Sequence, residues 1–388
     1  MMDDFDRNIF CLEGLPFDAM GYGDAIARIH ASIDNQRPCF LSTPNLNFLI
    51  SCRKDTGFRD SVIQSDLSVV DGMPLVWLAR LLTIPIKVRV AGASLFERLR
   101  QGPSRAKEHP GNEHLSVYFF GGPDGVAENA CNKLNAEAGA VTCAGFQSPG
   151  FGSVESLSGD DRIDRINASG ADFLVVSLGA RKGQAWIQRN RFRILAPVIS
   201  HLGAVVNFVA GTVSRAPLWM QQVGLEWLWR IREEPTLWKR YAIDAFGLAR
   251  LLLGRVLPYA VWNLFRNRTD PGPCRSVQVH DEGGDCRIEI QGAQPDVVPE
   301  DVRDQFRWLA FRRVAVLVDL SRVGVFGPGF LGQLLMLKKH QNMNGKTLRF
   351  TGLSRQAKRL FRWNGAAFLL EPDGVDALVA GGLQTALS

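Results

Sequence analysis

The sequence lacks paired cysteines and any histidine spacing typical of metal sites. Its seven cysteines are odd in number and scattered, with no Cys-x-x-Cys pair, and its six histidines are not spaced as metal ligands. A zinc site or a disulfide framework needs closer, paired spacing. We therefore expect reduced, mostly buried thiols in a cytoplasmic protein, and no metal site.

The sequence also has no long uninterrupted apolar run. Asp3, Asp4 and Asp6 give the N-terminus the wrong charge for a secretory signal. A spanning helix needs about 20 apolar residues in a row. The most apolar region, residues 238–265, is interrupted by Lys239, Arg240, Asp244, Arg250 and Arg255. We expect this region not to span a membrane, although it is suited to lie on one.

Neither charge nor composition is extreme. The net charge of +6 is a modest basic excess that favours phosphate-bearing partners without requiring nucleic acid. Hydrophobic residues make up 46% and charged residues 22%, as in a typical globular protein. At 388 residues the chain is too long for one ordinary core, so we expect two domains.

Between residues 38 and 211, short apolar runs alternate with segments of helical length. The runs are nearly continuous in hydrophobicity, as strands buried on both faces of a parallel sheet are. They comprise residues 39–42, 67–70, 117–120, 173–176 and 204–209, and the helical segments include 125–138 and 183–192. This alternation predicts an α/β domain with a parallel, Rossmann-like sheet.

The composition changes after residue 211. Residues 219–268 are rich in tryptophan and arginine, and residues 267–273 are polar and turn-forming, as at a domain boundary. Beyond them the pattern predicts a hairpin over 276–292 turning at Gly283-Gly284, a strand over 314–320, a helix over 330–343 and a strand over 347–351. The predicted domains are 1–245, a basic, aromatic appendage and linker over 246–273, and a smaller α/β domain over 274–388.

Three polar clusters follow directly on predicted strands. They are Thr43-Pro44-Asn45, Asp71-Gly72-Met73-Pro74 and Gly121-Gly122-Pro123-Asp124-Gly125. Each alone is explained by a plain turn, because Gly, Pro, Asn and Asp dominate turns. Ligands of parallel sheets bind outside the carboxyl ends of the strands. Three clusters at this same edge therefore indicate a site.

Asp71 is the most informative of these residues. A carboxylate at a strand end between apolar neighbours is partly desolvated, which raises its pKa and makes it a better base. The alternative is an N-cap for the helix starting near Pro74. Gly121 and Gly122 before a helix would let backbone N–H groups approach a diphosphate. Their run matches neither the dinucleotide nor the P-loop fingerprint.

Several further motifs occur in order along residues 38–245. They are Ser42-Thr43-Pro44-Asn45, Ser65-Asp66, Val70-Asp71-Gly72-Met73-Pro74, Val88-Arg89-Val90-Ala91-Gly92, Phe120-Gly121-Gly122, Ser177-Leu178-Gly179-Ala180 with Trp186, Val209-Ala210-Gly211-Thr212 with Arg215-Ala216-Pro217, and Gly224-Leu225-Glu226-Trp227 with Arg230, Glu234-Pro235 and Arg240-Tyr241. None is specific alone. The ordered set resembles the bacterial WecG/TagA/CpsF glycosyltransferases.

The resemblance implies an inverting enzyme that moves a hexosyl or N-acetylhexosaminyl group from a UDP-sugar to a polyprenyl-diphosphate-linked saccharide. It implies no metal and no cofactor besides the donor, and a role in bacterial surface polysaccharide or exopolysaccharide synthesis. Asp71 falls on the proposed general base, with Thr43 and Asn45 beside it as positioning residues. Arg89 falls on a residue expected to face the diphosphate, where it stabilises the departing UDP. The other implied substrate-binding residues are Gly121, Gly122, Gln184 and Arg215.

One stretch departs from the family pattern. The family usually reads Gly-x-Pro-Lys-Gln-Glu before its tryptophan, whereas this chain reads Gly179-Ala180-Arg181-Lys182-Gly183-Gln184. The expected Gln position holds Gly183, and Gln184 stands one place later. We predict that Gln184 still reaches the donor, and that Arg181 compensates for the change or alters the donor preference.

Arginines and tryptophans are interleaved over residues 227–268, which include the appendage. This composition is typical of an interfacial helix on anionic lipid, and in the resembled family the C-terminal appendage contacts the membrane. We expect a peripheral position on the inner face of the cell membrane, with contacts to the membrane or the acceptor diphosphate from Arg230, Arg240, Arg250 and Arg255. The alternative is an ordinary core helix. We expect no nucleic-acid partner, because no established motif is present.

Residues 314–370 resemble a STAS domain, the module of anti-sigma-factor antagonists. In signalling members the loop before the helix carries Asp-Ser or Asp-Thr, but here those places hold Gly327 and Pro328, so a phosphorylation switch is lost. A docking role with a protein partner remains. The rival interpretation of the chain is a STAS-based signalling or scaffold protein with a degenerate nucleotide-binding domain. Retention of the residues predicted for catalysis favours the enzyme.

Overall fold

The computed structural model describes residues 3–102, 114–137, 139–266, 275–282, 285–294 and 297–371. Numbered in chain order, the strands in these ranges are β1 (Ile9–Leu12), β2 (Leu15–Asp18), β3 (Cys39–Ser42), β4 (Leu67–Ser68), β5 (Leu115–Gly121), β6 (Val141–Gln147), β7 (Phe173–Ser177), β8 (Val198–His201), β9 (Arg275–Glu282), β10 (Asp285–Gln294), β11 (Val316–Phe326) and β12 (Leu348–Thr351).

The helices in the same ranges are α1 (Tyr22–Asp34), α2 (Leu46–Cys52), α3 (Thr56–Ile63), α4 (Met73–Leu81), α5 (Gly92–Gln101), α6 (Val126–Ala136), α7 (Asp160–Ala168), α8 (Ala180–Asn190), α9 (Val205–Ala210), α10 (Leu218–Gln222), α11 (Glu226–Glu233), α12 (Trp238–Leu251), α13 (Leu257–Arg266), α14 (Glu300–Arg312), α15 (Pro328–Met343) and α16 (Arg355–Trp363). A π-helical turn at Leu252–Val256 separates α12 from α13.

The chain divides into two compact units, each assembled from more than one segment. The first contains residues 20–77 and 86–248, and the second contains residues 3–19, 78–85 and those from 249 onward. The N-terminal segment is therefore part of the second unit. Composition does not reveal contacts between segments distant in sequence, and the boundaries placed after residues 245 and 273 stay predictions.

The described residues of the first unit form a parallel sheet of six strands in the order β4-β3-β8-β7-β5-β6. Alternate residues of β5 pack into different cores, Val117 and Phe119 into one and Tyr118 and Phe120 into the other. Because both faces of the sheet are covered, its strands are apolar throughout. The predicted α/β fold is confirmed.

One predicted strand is a helix. The sequence predicts a strand over 204–209, but the last strand of this sheet is β8 and residues Val205–Ala210 form α9. Val205, Val206 and Ala210 are buried, which is the spacing of one helical face. The prediction was wrong because a short apolar run suits a buried strand and a buried helix equally well.

The described residues of the second unit form a mixed sheet in the order β12-β11-β10-β9. Strands β10, β11 and β12 are parallel, and β9 pairs antiparallel with β10. This confirms the predicted hairpin, strand, helix and strand; the turn at Gly283-Gly284 lies outside the described residues. Similarity to STAS domains stays a prediction.

A buried cluster of charges joins the N-terminal segment to α15 within the second unit. The Arg7 guanidinium lies 2.7 Å from a carboxylate oxygen of Asp4 and 2.7 Å from one of Asp18. Lys339 Nζ lies 3.0 Å, and His340 Nε2 3.1 Å, from Asp4 Oδ2. The Arg7 and Lys339 side chains are fully buried. These ion pairs make residues 3–19 part of the core of this unit.

The cysteines do not all match the expectation of reduced thiols. Cys131 of α6 and Cys143 of β6 form a disulfide, with their Cα atoms 5.1 Å apart. The four cysteines Cys11, Cys39, Cys52 and Cys286 are buried and lie outside this disulfide. Cys274 lies outside the described residues. The expectation was wrong for Cys131 and Cys143, because the packing of α6 against β6 brings together two residues with no motif-like spacing.

Candidate functional site

Asp71 lies beyond the carboxyl end of β4, next to the chain leaving β3. Its backbone N–H donates to Pro44 O at 2.9 Å, and its Oδ2 accepts a hydrogen bond from Gly92 N at 3.3 Å. Burial raises the pKa of Asp71 to about 6, opposed by the positive charge of Arg89 and reinforced by the negative charge of Glu226. The predicted raised pKa is thus supported by the local geometry.

Thr43 and Asn45 lie beside Asp71 on the segment that follows β3. Thr43 is buried and approaches the start of α5, where a Cβ on Gly92 would lie 3.3 Å from Thr43 Oγ1. Asn45 caps α2, with its Oδ1 accepting a hydrogen bond from Phe48 N at 3.2 Å. Gly92 therefore links the carboxylate of Asp71 to the Thr43 side chain at this edge of the sheet.

Arg89 is held by an acidic residue to which the sequence assigned no role. Its Nη1 donates to Glu226 Oε2 at 2.9 Å, and both side chains are largely buried. Glu226 also lines a small open cleft with Arg230 and Trp229. The positive charges of Arg89 and Arg230 both act to lower the Asp71 pKa. The structure thus places Asp71, Arg89 and Arg230 near the carboxylate of Glu226. In the sequence, only its position in a motif distinguished Glu226.

Arg215 is fixed on the segment between α9 and α10. Its Nη2 donates to Ser94 Oγ at 2.7 Å and to Gln221 Oε1 at 3.3 Å. Its guanidinium lies 5.6 Å from the ring centroid of Phe208, which also lines the cleft beside Glu226. The predicted substrate-binding arginine therefore stands next to that cleft.

Gly121 and Gly122 bring β5 close to the end of β7. Their φ angles are +105° and +92°, and a Cβ on Gly121 would lie 2.5 Å from Ser177 O. The Gly122 amide donates to the same carbonyl at 2.9 Å. Glycine is needed here for strand packing, and the Gly122 N–H is engaged within the protein. Binding of a diphosphate by these residues stays a prediction.

Gln184 is enclosed beneath the sheet edge rather than open to it. It is 1% exposed, and its Nε2 donates to Ser42 Oγ at 3.0 Å. Ser65 Oγ donates to the same Ser42 oxygen at 2.6 Å. Gln184 thus has a structural role in a polar cluster, and its predicted contact with the donor stays a prediction.

The arginines predicted to contact the membrane or the acceptor diphosphate differ in their surroundings. Arg240 is exposed, with its guanidinium 5.1 Å from the ring centroid of Tyr241, and Arg250 is exposed. Arg255 instead forms an ion pair with the buried Glu13, Nη1 to Oε2 at 3.2 Å. Grouping Arg255 with the exposed arginines overlooks that internal pair.

The appendage belongs to one long helix. Among the described residues, Pro235–Phe265 is the helix long and apolar enough to cross a membrane, by length and composition alone, and 22% of its most apolar window is buried. That the region lies on a membrane rather than spanning it stays a prediction.

Among the described residues, no three His, Cys, Asp or Glu side chains are grouped to hold a metal ion.

Comparison with known proteins gives two findings. The model of the glycosyl transferase WecG/TagA/CpsF family matches residues 10–260, well over half of the chain. Over 208 residues the chain is 27% identical to the N-acetylglucosaminyldiphosphoundecaprenol N-acetyl-beta-D-mannosaminyltransferase of Bacillus subtilis (strain 168), covering 54% of this chain and 77% of that protein. It is 24% identical, over 208 residues, to the protein of the same name from Bacillus spizizenii (strain ATCC 23059 / NRRL B-14472 / W23), covering 54% of this chain and 76% of the relative.

Proposed function

Because the chain belongs to the glycosyl transferase WecG/TagA/CpsF family, we propose that it moves a sugar from a UDP-sugar to a polyprenyl-diphosphate-linked saccharide. The acceptor class follows the names of the two Bacillus relatives. The group transferred is hexosyl or N-acetylhexosaminyl, the reaction inverts the anomeric carbon, and the product enters bacterial surface polysaccharide.

The Asp71 carboxylate carries this proposal. In the proposed reaction it takes the proton from an acceptor hydroxyl, whose oxygen then attacks the anomeric carbon from the face opposite UDP. The bond from that carbon to the diphosphate oxygen breaks, and its electron pair leaves with UDP. With a pKa of about 6, the carboxylate is ionised at neutral pH yet is a stronger base than an exposed aspartate.

Arg89 is proposed to stabilise the departing diphosphate. Its guanidinium is held in place by Glu226, so little reorganisation is needed when negative charge develops on UDP. Arg230 and Arg215 stand at the adjoining cleft and add positive charge. These arginines are proposed to balance the charge of the leaving group without a metal ion, and the enzyme is proposed to need no cofactor besides its donor.

The pH dependence of the reaction tests the state of Asp71. Since the base must be ionised, the acceptor kcat/KM should reach a plateau above about pH 6 and fall about tenfold per pH unit below it. Initial rates between pH 4.5 and 8, with circular dichroism at each pH as a folding control, measure this profile. A rate that stays constant down to pH 4.5 would exclude Asp71 as the base.

The donor and acceptor are tested by reconstitution. Purified protein is incubated with a panel of UDP-sugars and N-acetylglucosamine linked through a diphosphate to a short polyprenyl chain. The molecular mass of the lipid product is then measured by mass spectrometry. We expect a mass gain of one sugar with at least one donor, and the anomeric configuration is then read by NMR. Folded protein that transfers no sugar from the whole panel would overturn the proposed function.

Peripheral attachment to the inner face of the membrane is proposed on the exposed side chains of the helix Pro235–Phe265. Several large apolar side chains of this region are exposed. They are Trp238, Ile243 and Phe246 on α12, and Leu257, Val261, Leu264 and Phe265 on α13. Apolar side chains together with cations suit the surface of an anionic bilayer.

Charge reversal tests this attachment. The variant Arg240→Glu/Arg250→Glu is expected to leave anionic vesicles, because each basic residue near such a surface contributes about 1 kcal/mol. Arg255 is kept because it pairs with Glu13. Vesicle sedimentation at low and high salt measures binding. The matched control is Arg37→Glu/Lys54→Glu, which changes the charge equally at exposed positions outside the helix. Equal sedimentation of both variants would contradict the proposal.

The rival signalling function gains no support from the second unit. Gly327 is the N-cap of α15 and Pro328 is its first residue, so the positions compared with a phosphorylated serine or threonine carry no hydroxyl. A protein partner for this unit stays a prediction.

A further inference from the structure

His201 is a buried histidine with no role in the reaction proposed above. It ends β8 at the carboxyl edge of the sheet, where β8 lies between β3 and β7. Its exposed fraction is 9%, and burial lowers its pKa to about 4, so the imidazole is uncharged at neutral pH. The residue is thus a neutral polar group at the edge where parallel sheets bind ligands.

The imidazole has a buried polar atom whose hydrogen-bonding capacity is unused. Among the described residues, His201 Nε2 is buried without a hydrogen-bond partner. Buried polar atoms in proteins are nearly always bonded to protein, water or ligand. Two glycines border this atom: a Cβ on Gly183 would lie 3.1 Å from it, and one on Gly203 would lie 3.3 Å from it.

Gly183 and His201 are sterically matched. A Cβ at position 183 would lie 2.2 Å from His201 Cδ2, which is far inside van der Waals contact. No side chain fits at position 183 while the imidazole is in place. Gly183 stands where the resemblance leads one to expect glutamine, so the imidazole reaches this space from the neighbouring strand.

The imidazole also lies at the N-terminal end of an 11-residue helix. Gly183 is the fourth residue of α8, whose N-cap, Gly179, has no side chain that could accept hydrogen bonds from the first N–H groups of the helix. A helix N-terminus attracts anions through its free N–H groups and its dipole. The unpartnered Nε2 atom and this helix end together favour a polar, anionic ligand here.

We infer that His201 hydrogen-bonds the bound nucleotide-sugar next to its diphosphate, and that position 183 is glycine because the imidazole needs the space. His201 is then a substrate-binding residue supplied by β8. It occupies the place where the family pattern leads one to expect the glutamine side chain of position 183 on α8. The inference rests on the proposed function, since it deepens the description of the donor site.

Binding of UDP and of a UDP-sugar accepted by the wild type, measured by titration calorimetry, tests the contact. His201→Ala should bind at least one of them about tenfold more weakly, the scale of one lost hydrogen bond. A loss with UDP places the contact on the nucleotide, and a loss with the UDP-sugar alone places it on the sugar. Asn190→Ala, which removes a buried amide at the other end of α8, is the stability-matched control.

Unchanged affinity of His201→Ala for both ligands would overturn the inference while leaving the proposed function intact. A folded wild type that binds neither ligand would instead reject the proposed function and the inference with it.

The steric match has its own test. Gly→Ala inside a helix normally stabilises a protein, but Gly183→Ala should lower the Tm by roughly 3–10 °C because its methyl group collides with the imidazole. In the His201→Ala background the same change should cost little or raise the Tm. The swap Gly183→Gln/His201→Gly should bind UDP-sugar more tightly than His201→Gly alone. A Gly183→Ala protein as stable as the wild type would show that the two positions are not matched.

Discussion

Asp71→Asn is expected to lower kcat at least about a hundredfold, the scale of lost general-base catalysis. The amide keeps the size of the side chain and its place beside Gly92 and Arg89, but it takes up no proton. Binding of the UDP-sugar should therefore change little. Initial rates on a lipid-linked acceptor and titration calorimetry with the donor measure the two quantities separately.

The stability of this variant gives an independent control. The folded-state pKa of Asp71, about 6, lies above the ordinary value of 3.8, so ionisation opposes folding above pH 6 and this penalty disappears as the pH falls from 6 towards 4. Asp71→Asn should thus be at least as stable as the wild type at pH 7. A stable variant with near-normal turnover would rule out the assigned role.

Arg7→Ala is expected to destabilise the second unit by about 3–5 kcal/mol, the usual effect of removing one partner from a buried ion pair. Asp4 and Asp18 would each lose the guanidinium that lies 2.7 Å away, in a place with almost no access to water. Scanning calorimetry should show a lower unfolding temperature. Hydrogen exchange should rise first in residues 3–19, which this cluster ties to α15.

A surface arginine of the same unit provides the matched control. Arg312 pairs with Asp281, and both side chains are about half exposed. Its replacement by alanine should lower the unfolding temperature far less than Arg7→Ala does, because solvent screens an exposed ion pair. Equal destabilisation by Arg7→Ala and Arg312→Ala would mean that the N-terminal segment is not part of the core of the second unit.

The parallel sheet was predictable from the sequence, and so was the sheet edge at which the candidate site lies. Strands buried on both faces appear as short continuous apolar runs, and Cys39–Ser42 was located to the residue for this reason. Turn residues and Asp71 after such runs mark the carboxyl edge because parallel strands end there together. Only local pattern is needed for both predictions.

Several features of the candidate site lay beyond local pattern. Glu226 is distant in sequence from Arg89, and nothing in the spacing predicts their ion pair. The place of Gln184 in a motif predicted a contact with the donor, and only the structure shows its hydrogen bond to Ser42. The signal that could have located His201 is the glycine at position 183, which leaves room for it.

The sequence by itself determined the α/β class and the family, since these depend on periodicity and ordered motifs. The tertiary structure alone decided that residues 3–19 pack with those after 249, that Cys131 bonds Cys143, and that Arg255 pairs with Glu13. The first and the last of these join segments far apart in the chain, and the disulfide joins two different elements. Their free energy depends on burial and on distances in space, and a local pattern of residue types carries neither.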